Sequence, residues 1–214
     1  YTDAQLFHHQ GRFMFDPALF KKVSVQKGTG SASAGIGATS GAIVAETVSA
    51  KDLLKDGQDI GFKVNAGVSS NKGWSKGATV YSRAQAMDVL LSGNWVNESD
   101  YKAGNGYKIK NSALGQRGLL AKVGVDLNED HRIELSHRQE RHYGVRALRE
   151  EFDFAQDNNE TNNSPRYRIT TNDTSKIEWT GKNMGFISNA KANVWRSVIS
   201  REEPSERSRT RLIA

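Results

Sequence analysis

The sequence predicts an all-β fold, and three observations support it. From residue 60 onward, apolar and polar residues alternate with a period of two in seven separate runs, which is typical of strands with one apolar face. The connections between these runs are alternately long and tight. No apolar run approaches the roughly 20 residues that a membrane-spanning helix needs.

The first predicted strands are residues 23–26 and 42–47, which flank a segment rich in glycine, serine and alanine. Glycine weakens regular structure and marks turns or close approaches of the backbone. The segment contains neither a Walker GxxxxGK[ST] motif nor a complete GxGxxG motif, so nucleotide binding is not expected. A glycine-rich hairpin is the simpler interpretation.

Residues 1–22 combine apolar side chains with the polar stretch His8-His9-Gln10-Gly11-Arg12. Pro17 lacks a backbone donor and restrains Asp16 to extended geometry, which predicts a loop between short elements. The two histidines could bind a metal or heme. Adjacent side chains point apart on a strand, however, and no third ligand lies nearby, so the pattern alone favours surface polar residues over a metal site.

Residues 50–57 predict a short helix or turn that ends at a glycine and serves as a hinge. Seven strands follow it, at residues 60–69, 77–83, 87–96, 117–127, 131–142, 167–179 and 185–200. The connections are short at 71–76, tight at 84–86, 128–130 and 181–184, and long at 97–116 and 143–166.

The alternation of long and tight connections distinguishes two kinds of β fold. An outer-membrane barrel places long loops outside the cell and tight turns in the periplasm, whereas a soluble sandwich has no reason to alternate them. Aromatic residues fall near the strand ends, as a membrane girdle requires: Trp95, Tyr101, Tyr167 and Trp179. Bulky residues also favour strands in general, so these patterns by themselves leave both architectures open.

The composition excludes several classes of protein. The 214 residues include no cysteine, so disulfides and thiolate metal sites are impossible within the chain. The net charge is +6, but the charges are dispersed and no nucleic-acid-binding motif accompanies them. No GxSxG or HExxH motif is present, and we expect no enzymatic activity.

Three stretches resemble the plug-domain signature of TonB-dependent outer-membrane receptors: Gly11-Arg12-Phe13, Asp16-Pro17-Ala18-Leu19 and VSVQKGTGSASAGIGATSGAI at residues 23–43. The resemblance is to the neisserial type of iron-regulated ferric-siderophore receptor. It continues in patches, including residues 130–137 and 145–152, to about residue 180. Ala42 follows Gly41 where many members of the family have a second glycine.

The resemblance implies an internal piece of a longer protein with three parts. Residues 1–57 would be the C-terminal part of a plug domain, residues 58–203 the first strands of an incomplete transmembrane β-barrel, and residues 204–214 an atypical tail. Val123 would then face lipid. Lys122 would face the lumen and tolerate substitution.

The implied function is uptake of a ferric siderophore, anionic and catecholate-like, across the outer membrane of a Gram-negative bacterium. A TonB-type energy-transducing protein and outer-membrane lipid would be the partners, with no nucleic acid, no covalent cofactor and no resident metal. The plug apex would present His8, His9, Gln10 and Arg12 to the ligand. Two alternatives remain: a receptor for heme or a heme protein, and a soluble β-rich extracellular binding module.

Overall fold

A computed structural model describes residues 16–28, 41–146 and 165–204. In these ranges the chain forms one 3-10 turn, one short helix and nine strands, in the order 3-10 turn Pro17–Leu19, β1 Phe20–Lys27, β2 Gly41–Thr47, α1 Ala50–Leu53, β3 Ile60–Val68, β4 Trp74–Ala84, β5 Met87–Glu98, β6 Leu114–Asp126, β7 His131–Arg146, β8 Arg166–Met184 and β9 Ile187–Glu202. The described helix is not long and apolar enough to span a membrane.

The N-terminal unit consists of the 3-10 turn, β1, β2 and α1. Strands β1 and β2 pair antiparallel as a two-stranded sheet. Asp16 begins the 3-10 turn, because its Oδ1 accepts a hydrogen bond from Ala18 N at 3.0 Å and Pro17 supplies the fixed φ of a first helical position. Asp52 caps the N-terminus of α1 by accepting a hydrogen bond from Ser49 N at 2.7 Å.

The large sheet contains β3 to β9 in sequence order, with every neighbouring pair antiparallel. The all-β fold and the seven antiparallel strands predicted from the sequence are therefore confirmed. The long and tight connections also alternate as expected, with residues 99–113 joining β5 to β6 and two residues joining β4 to β5.

Several predicted strand boundaries are wrong: β6 begins three residues before residue 117, and β7 continues four residues past residue 142. Strand β8 continues to Met184, so the tight connection expected at residues 181–184 lies inside the strand. The turn is Gly185-Phe186, where Gly185 takes a φ of +63° and Met184 pairs with Ile187. Strand β4 begins at Trp74, paired with Val68, and shortens the connection expected at 71–76.

The two faces of the large sheet differ in character. On the outer face, Phe62, Val64 and Val194 are 76%, 69% and 73% exposed. The inner face is largely polar, but Leu90 and Leu120 on it are buried because the N-terminal unit covers them. The sheet thus turns an apolar surface outward and a polar surface toward the N-terminal unit.

The apolar band on the outer face runs diagonally across the strands. On its long-connection side, the last uninterrupted apolar outward positions are Val68 on β3, Leu119 on β6 and Val194 on β9, where Arg196 separates Val194 from Val198. Residues that pair directly across neighbouring strands form a row. The row that contains Val68 includes Gly115 of β6, and the row that contains Val194 includes Val123 of β6, so the two rows are eight residues apart on β6. Eight residues of about 3.3 Å over six strand spacings of about 4.8 Å correspond to a tilt of about 40°, which lies in the range of closed barrels.

Candidate functional site

The inner face of the large sheet holds the N-terminal unit by an apolar contact. Leu19 is fully buried and belongs to one cluster with Ala50, Leu90 and Leu120. Strand β6 can come this close because residue 118 is glycine: a Cβ there would lie 2.5 Å from Asp16 Oδ2 and 3.3 Å from Asp16 Cβ. Any larger side chain at this position would have to displace the Asp16 carboxylate.

A buried carboxylate on β7 ties the 3-10 turn of the N-terminal unit to the large sheet, which is called the wall below. Glu140, which has no exposed surface, accepts a hydrogen bond from Asp16 N through Oε1 and pairs with Arg138 through Oε2. The Arg138 guanidinium also lies 5.1 Å from the centre of the Phe20 ring, within cation–π range. Burial raises the pKa of Asp16, and the hydrogen bond from Ala18 N offsets part of that rise.

A second tie involves Lys122 on β6, which is 5% exposed. Its Nζ lies 2.9 Å from Glu134 Oε1 and donates a 3.3 Å hydrogen bond to the Thr47 carbonyl at the end of β2. Ser49 Oγ is 3.5 Å away. The expectation that Lys122 faces the lumen is correct in direction, but this side chain is a buried contact of the N-terminal unit and not a solvated one.

A network of charges continues from Lys122 toward the tight-turn end of the strands. Arg132 contacts Asp88 at 2.7 Å, Asp126 at 3.1 Å and Glu134 at 3.3 Å. Asp126 in turn lies 2.5 Å from Nζ of Lys51 on α1. Charged side chains of the wall therefore contact the N-terminal unit both at its 3-10 turn and at α1.

These contacts form a non-covalent seat for the N-terminal unit: one small apolar cluster with hydrogen bonds and ion pairs around it. Each exposed polar contact of this kind contributes only a modest net free energy, because its groups bond to water when it is broken. The seat is not a metal site, since the described residues contain no group of three His, Asp or Glu side chains placed to hold an ion.

The candidate ligand contacts predicted from the sequence, His8, His9, Gln10 and Arg12, lie outside the described residues. Sequence reasoning missed the seat itself. One signal was available: Leu90 and Leu120 sit at inward positions between apolar outward neighbours, so residues 89–91 and 119–121 break the alternation. Apolar residues on both faces of a strand indicate that both faces are covered.

The chain is similar over most of its length to a solved outer-membrane transporter. The FrpB iron transporter from Neisseria meningitidis, F3-3 variant, is 46% identical and superposes with a TM-score of 0.84; the match covers 94% of this chain and 32% of that one. Among curated proteins, the heme transporter BhuA of Brucella abortus is 32% identical over 147 residues, which is 68% of this chain and 22% of BhuA. The TonB-dependent heme receptor A of Haemophilus influenzae is 33% identical over 132 residues, 60% of this chain and 18% of the relative. The chain belongs to the TonB-dependent receptors.

No family model matches this TonB-dependent receptor chain, and it spans about a third or less of the length of these relatives. Its location is the outer membrane of a Gram-negative bacterium, as predicted. The relatives are named as transporters and receptors, which fits the expectation of a non-enzymatic protein. The division into residues 1–57, 58–203 and 204–214 stays a prediction.

Proposed function

We propose that this TonB-dependent receptor imports an iron-containing ligand through the outer membrane, with a ferric siderophore as the first candidate. The likeness to the FrpB iron transporter, at 46% identity over 94% of this chain, is the observation that supports it most. A TonB-type partner supplies the energy by displacing the N-terminal unit from its seat on the inner face.

The nature of the seat supports a displaceable unit. The N-terminal unit contacts the wall through the Leu19 cluster, the Glu140 carboxylate and Lys122. A hydrogen bond to a charged group contributes about 1.5–3 kcal/mol, so a few of them hold the unit in place without making its release impossible. Polar residues lining the wall also leave a wettable surface behind when the unit moves.

A locked variant tests this mechanism. In Asp16→Cys/Gly118→Cys the two Cβ atoms would start 3.3 Å apart, just below the 3.5–4.5 Å usual for a disulfide, and the chain has no other cysteine. We expect the receptor with this disulfide formed to bind its ligand but not to transport it. Reduction of the disulfide should restore transport. The two single-cysteine variants are the controls. Full transport by a receptor with the disulfide demonstrably formed would contradict displacement of this segment.

Heme is a second candidate ligand, because the curated relatives quoted above are named heme transporter and heme receptor. The pair His8-His9 offers imidazole ligands that suit heme iron. An anionic ferric siderophore would instead depend on Arg12, through charge-assisted hydrogen bonds.

The two ligands are separable in a strain that lacks its own receptors. Cells carrying the intact protein are grown with a ferric siderophore or with heme as sole iron source, with and without the TonB-type partner. Arg12→Ala should weaken siderophore binding by about 1.5–3 kcal/mol without changing the amount of receptor. Growth on heme but not on the siderophore, abolished in His8→Ala/His9→Ala, would identify heme as the ligand and reject the siderophore. Growth on neither source would reject iron uptake.

A further inference from the structure

The Asp16 carboxylate lies in a gap in one row of the wall. In this row, Asn94 of β5 pairs with Gly118 of β6, and Gly118 pairs with Glu140 of β7. Asp16 Oδ2 lies 2.5 Å from the point that a Cβ at residue 118 would occupy. Neighbouring strands are about 4.8 Å apart, so this carboxylate has a neutral amide on one side and a second carboxylate on the other.

One oxygen of the Asp16 carboxylate has no partner. Asp16 is 3% exposed; its Oδ1 accepts a hydrogen bond from Ala18 N, whereas Oδ2 is buried and forms no hydrogen bond in the described part of the chain. Burial raises the pKa of Asp16 above its ordinary 3.8, and the hydrogen bond from Ala18 N and the nearby amides of Gln116 and Asn94 offset only part of this rise. A buried carboxylate oxygen without a partner is costly in free energy, so the ionised form is disfavoured here.

The charges on β7 do not neutralise Asp16. Glu140 has no exposed surface, and both its oxygens are engaged, one by Asp16 N and the other by Arg138. His142, the next inward residue on β7, forms no hydrogen bond to either carboxylate through its ring nitrogens. Two neighbouring carboxylates therefore face one arginine, and two ionised carboxylates at close range disfavour each other.

The other elements packed against the 3-10 turn do not neutralise Asp16 either. At this level β5 and β6 present neutral side-chain amides. The inward lysine of β6, Lys122, pairs with Glu134 at 2.9 Å, and Lys21 of β1 pairs with Asp52 at 3.0 Å. Because these cations are already paired, a proton is the simplest way to remove the buried charge of Asp16.

We propose that the N-terminal unit docks on the wall with one proton bound at Asp16 and loses this proton when it is displaced. The protonated carboxyl donates a hydrogen bond from Oδ2 to a side-chain amide oxygen of Asn94 or Gln116, which gives the buried oxygen a partner. When the unit leaves its seat, the carboxyl reaches water, its O–H bond breaks and water takes the proton. This step presupposes the displacement proposed above and makes it dependent on pH.

Proton uptake on docking gives the pH dependence a defined direction. Because the pKa of Asp16 is raised in the docked unit, docking is strongest below the ordinary value of 3.8 and weakens as pH rises through the docked value. Between these two values, one bound proton changes the docking equilibrium by at most about tenfold per pH unit. Acidification therefore holds the N-terminal unit in its seat, and a rise in pH loosens it.

Hydrogen exchange of the intact receptor in detergent tests this proton. Protection at β1 and β2 is measured from about pH 4 to about pH 8 and corrected for the intrinsic effect of pH on exchange. Protection of the parent should fall as pH rises. Asp16→Asn retains an Oδ1 that accepts from Ala18 N but has no charge, so its protection should not depend on pH. At about pH 8 it should exceed that of the parent by about tenfold, on the order of one relieved unsatisfied group.

The matched control is Asp52→Asn, which removes the same charge from the same unit. Asp52 is only partly buried and has a lowered pKa, below the measured range, so this variant should keep the pH dependence of the parent. Glu140→Gln removes the charged neighbour of Asp16 and should shift the pH dependence to lower pH without abolishing it.

Two results would overturn the proton at Asp16. One is protection of the parent that does not change with pH. The other is a pH dependence that survives in Asp16→Asn and disappears in Glu140→Gln, which would assign the proton to Glu140. Transport by the Asp16→Cys/Gly118→Cys receptor with its disulfide formed would instead reject the displacement itself, while the exchange measurements would still decide where the proton binds.

Discussion

The two faces of the large sheet treat charge in opposite ways, although the same strands form both. On the inner face, Lys122, Arg132 and Arg138 each have a carboxylate within ion-pair distance. On the outer face, Arg117 and Arg141 have none within the ranges that the structure describes; they contact Tyr143 and Thr171 instead. The difference follows from the surroundings: the inner charges are largely enclosed by protein, and a charge taken out of water needs a partner, whereas the outer arginines lie on the open face of the sheet.

The largest effect is expected at Glu140, the most deeply buried charge of the inner face. Glu140→Ala would leave the largely buried Arg138 without its carboxylate partner and Asp16 N without its acceptor, which typically costs about 3–5 kcal/mol, as for a broken buried ion pair. Urea unfolding of the intact receptor in detergent measures it. Asp173→Asn, on the outer face and half-exposed, is the control and should change stability little. Equal losses at the two positions would contradict the contrast between the faces.

A charge placed inside the apolar band should have the next largest effect. Val123→Arg introduces a cation at the level of the lipid chains and should cost about 2–4 kcal/mol of stability, while Val123→Leu should be tolerated. The amount of folded receptor in the outer membrane, measured by its heat-modifiable mobility on gels, reports this. Normal assembly of Val123→Arg would show that Val123 does not face the lipid chains.

Loss of the Lys122 contact should loosen the N-terminal unit. Lys122→Gln removes the ion pair with Glu134 and weakens the hydrogen bond to the Thr47 carbonyl, for which about 1–3 kcal/mol is expected. Hydrogen exchange at β2 and α1 should accelerate, with the strands of the wall unchanged. Lys63→Gln, which changes an exposed inward lysine that has no ion pair among the described residues, is the matched control. Unchanged exchange in Lys122→Gln would return this residue to the tolerant, lumen-facing role expected from the sequence.

The smallest effect concerns an ion pair inside the N-terminal unit. Burial would raise the pKa of Asp52, but the hydrogen bond and charge of Lys21, 3.0 Å away, outweigh burial and lower it below its ordinary 3.8. A lowered pKa contributes stability above the unfolded value, and this contribution is lost as pH falls through the folded value. Asp52→Asn should therefore destabilise by about 0.2–1 kcal/mol at neutral pH; the difference should begin to shrink below pH 3.8 and vanish once Asp52 is protonated in the folded state. A constant difference down to acid pH would rule out this pair as its source.

Much of the wall could be predicted from the sequence because strand periodicity is local information. Alternation in residues 60–68 already separates the apolar side chains from the polar ones. Strand ends were less predictable: β8 continues beyond Gly181 because its partners on β9 extend the ladder, and a pairing partner is not visible in the strand's own residues. The candidate ligand contacts His8, His9, Gln10 and Arg12 rest on the family resemblance and stay a prediction.

The sequence by itself determined the class of fold, the order of the strands, the outward apolar face and the family, since each depends on residues close together in the chain. The tertiary structure alone decided which inward side chains are buried. Asp16 and Glu140 are 124 residues apart, too far for any local motif. They meet where the N-terminal unit docks, because Gly118 on β6 has no side chain and leaves room for the Asp16 carboxylate. The same holds for Arg117 and Arg141: each is an ordinary surface arginine in the sequence, and only the register of β6 with β7 places them side by side.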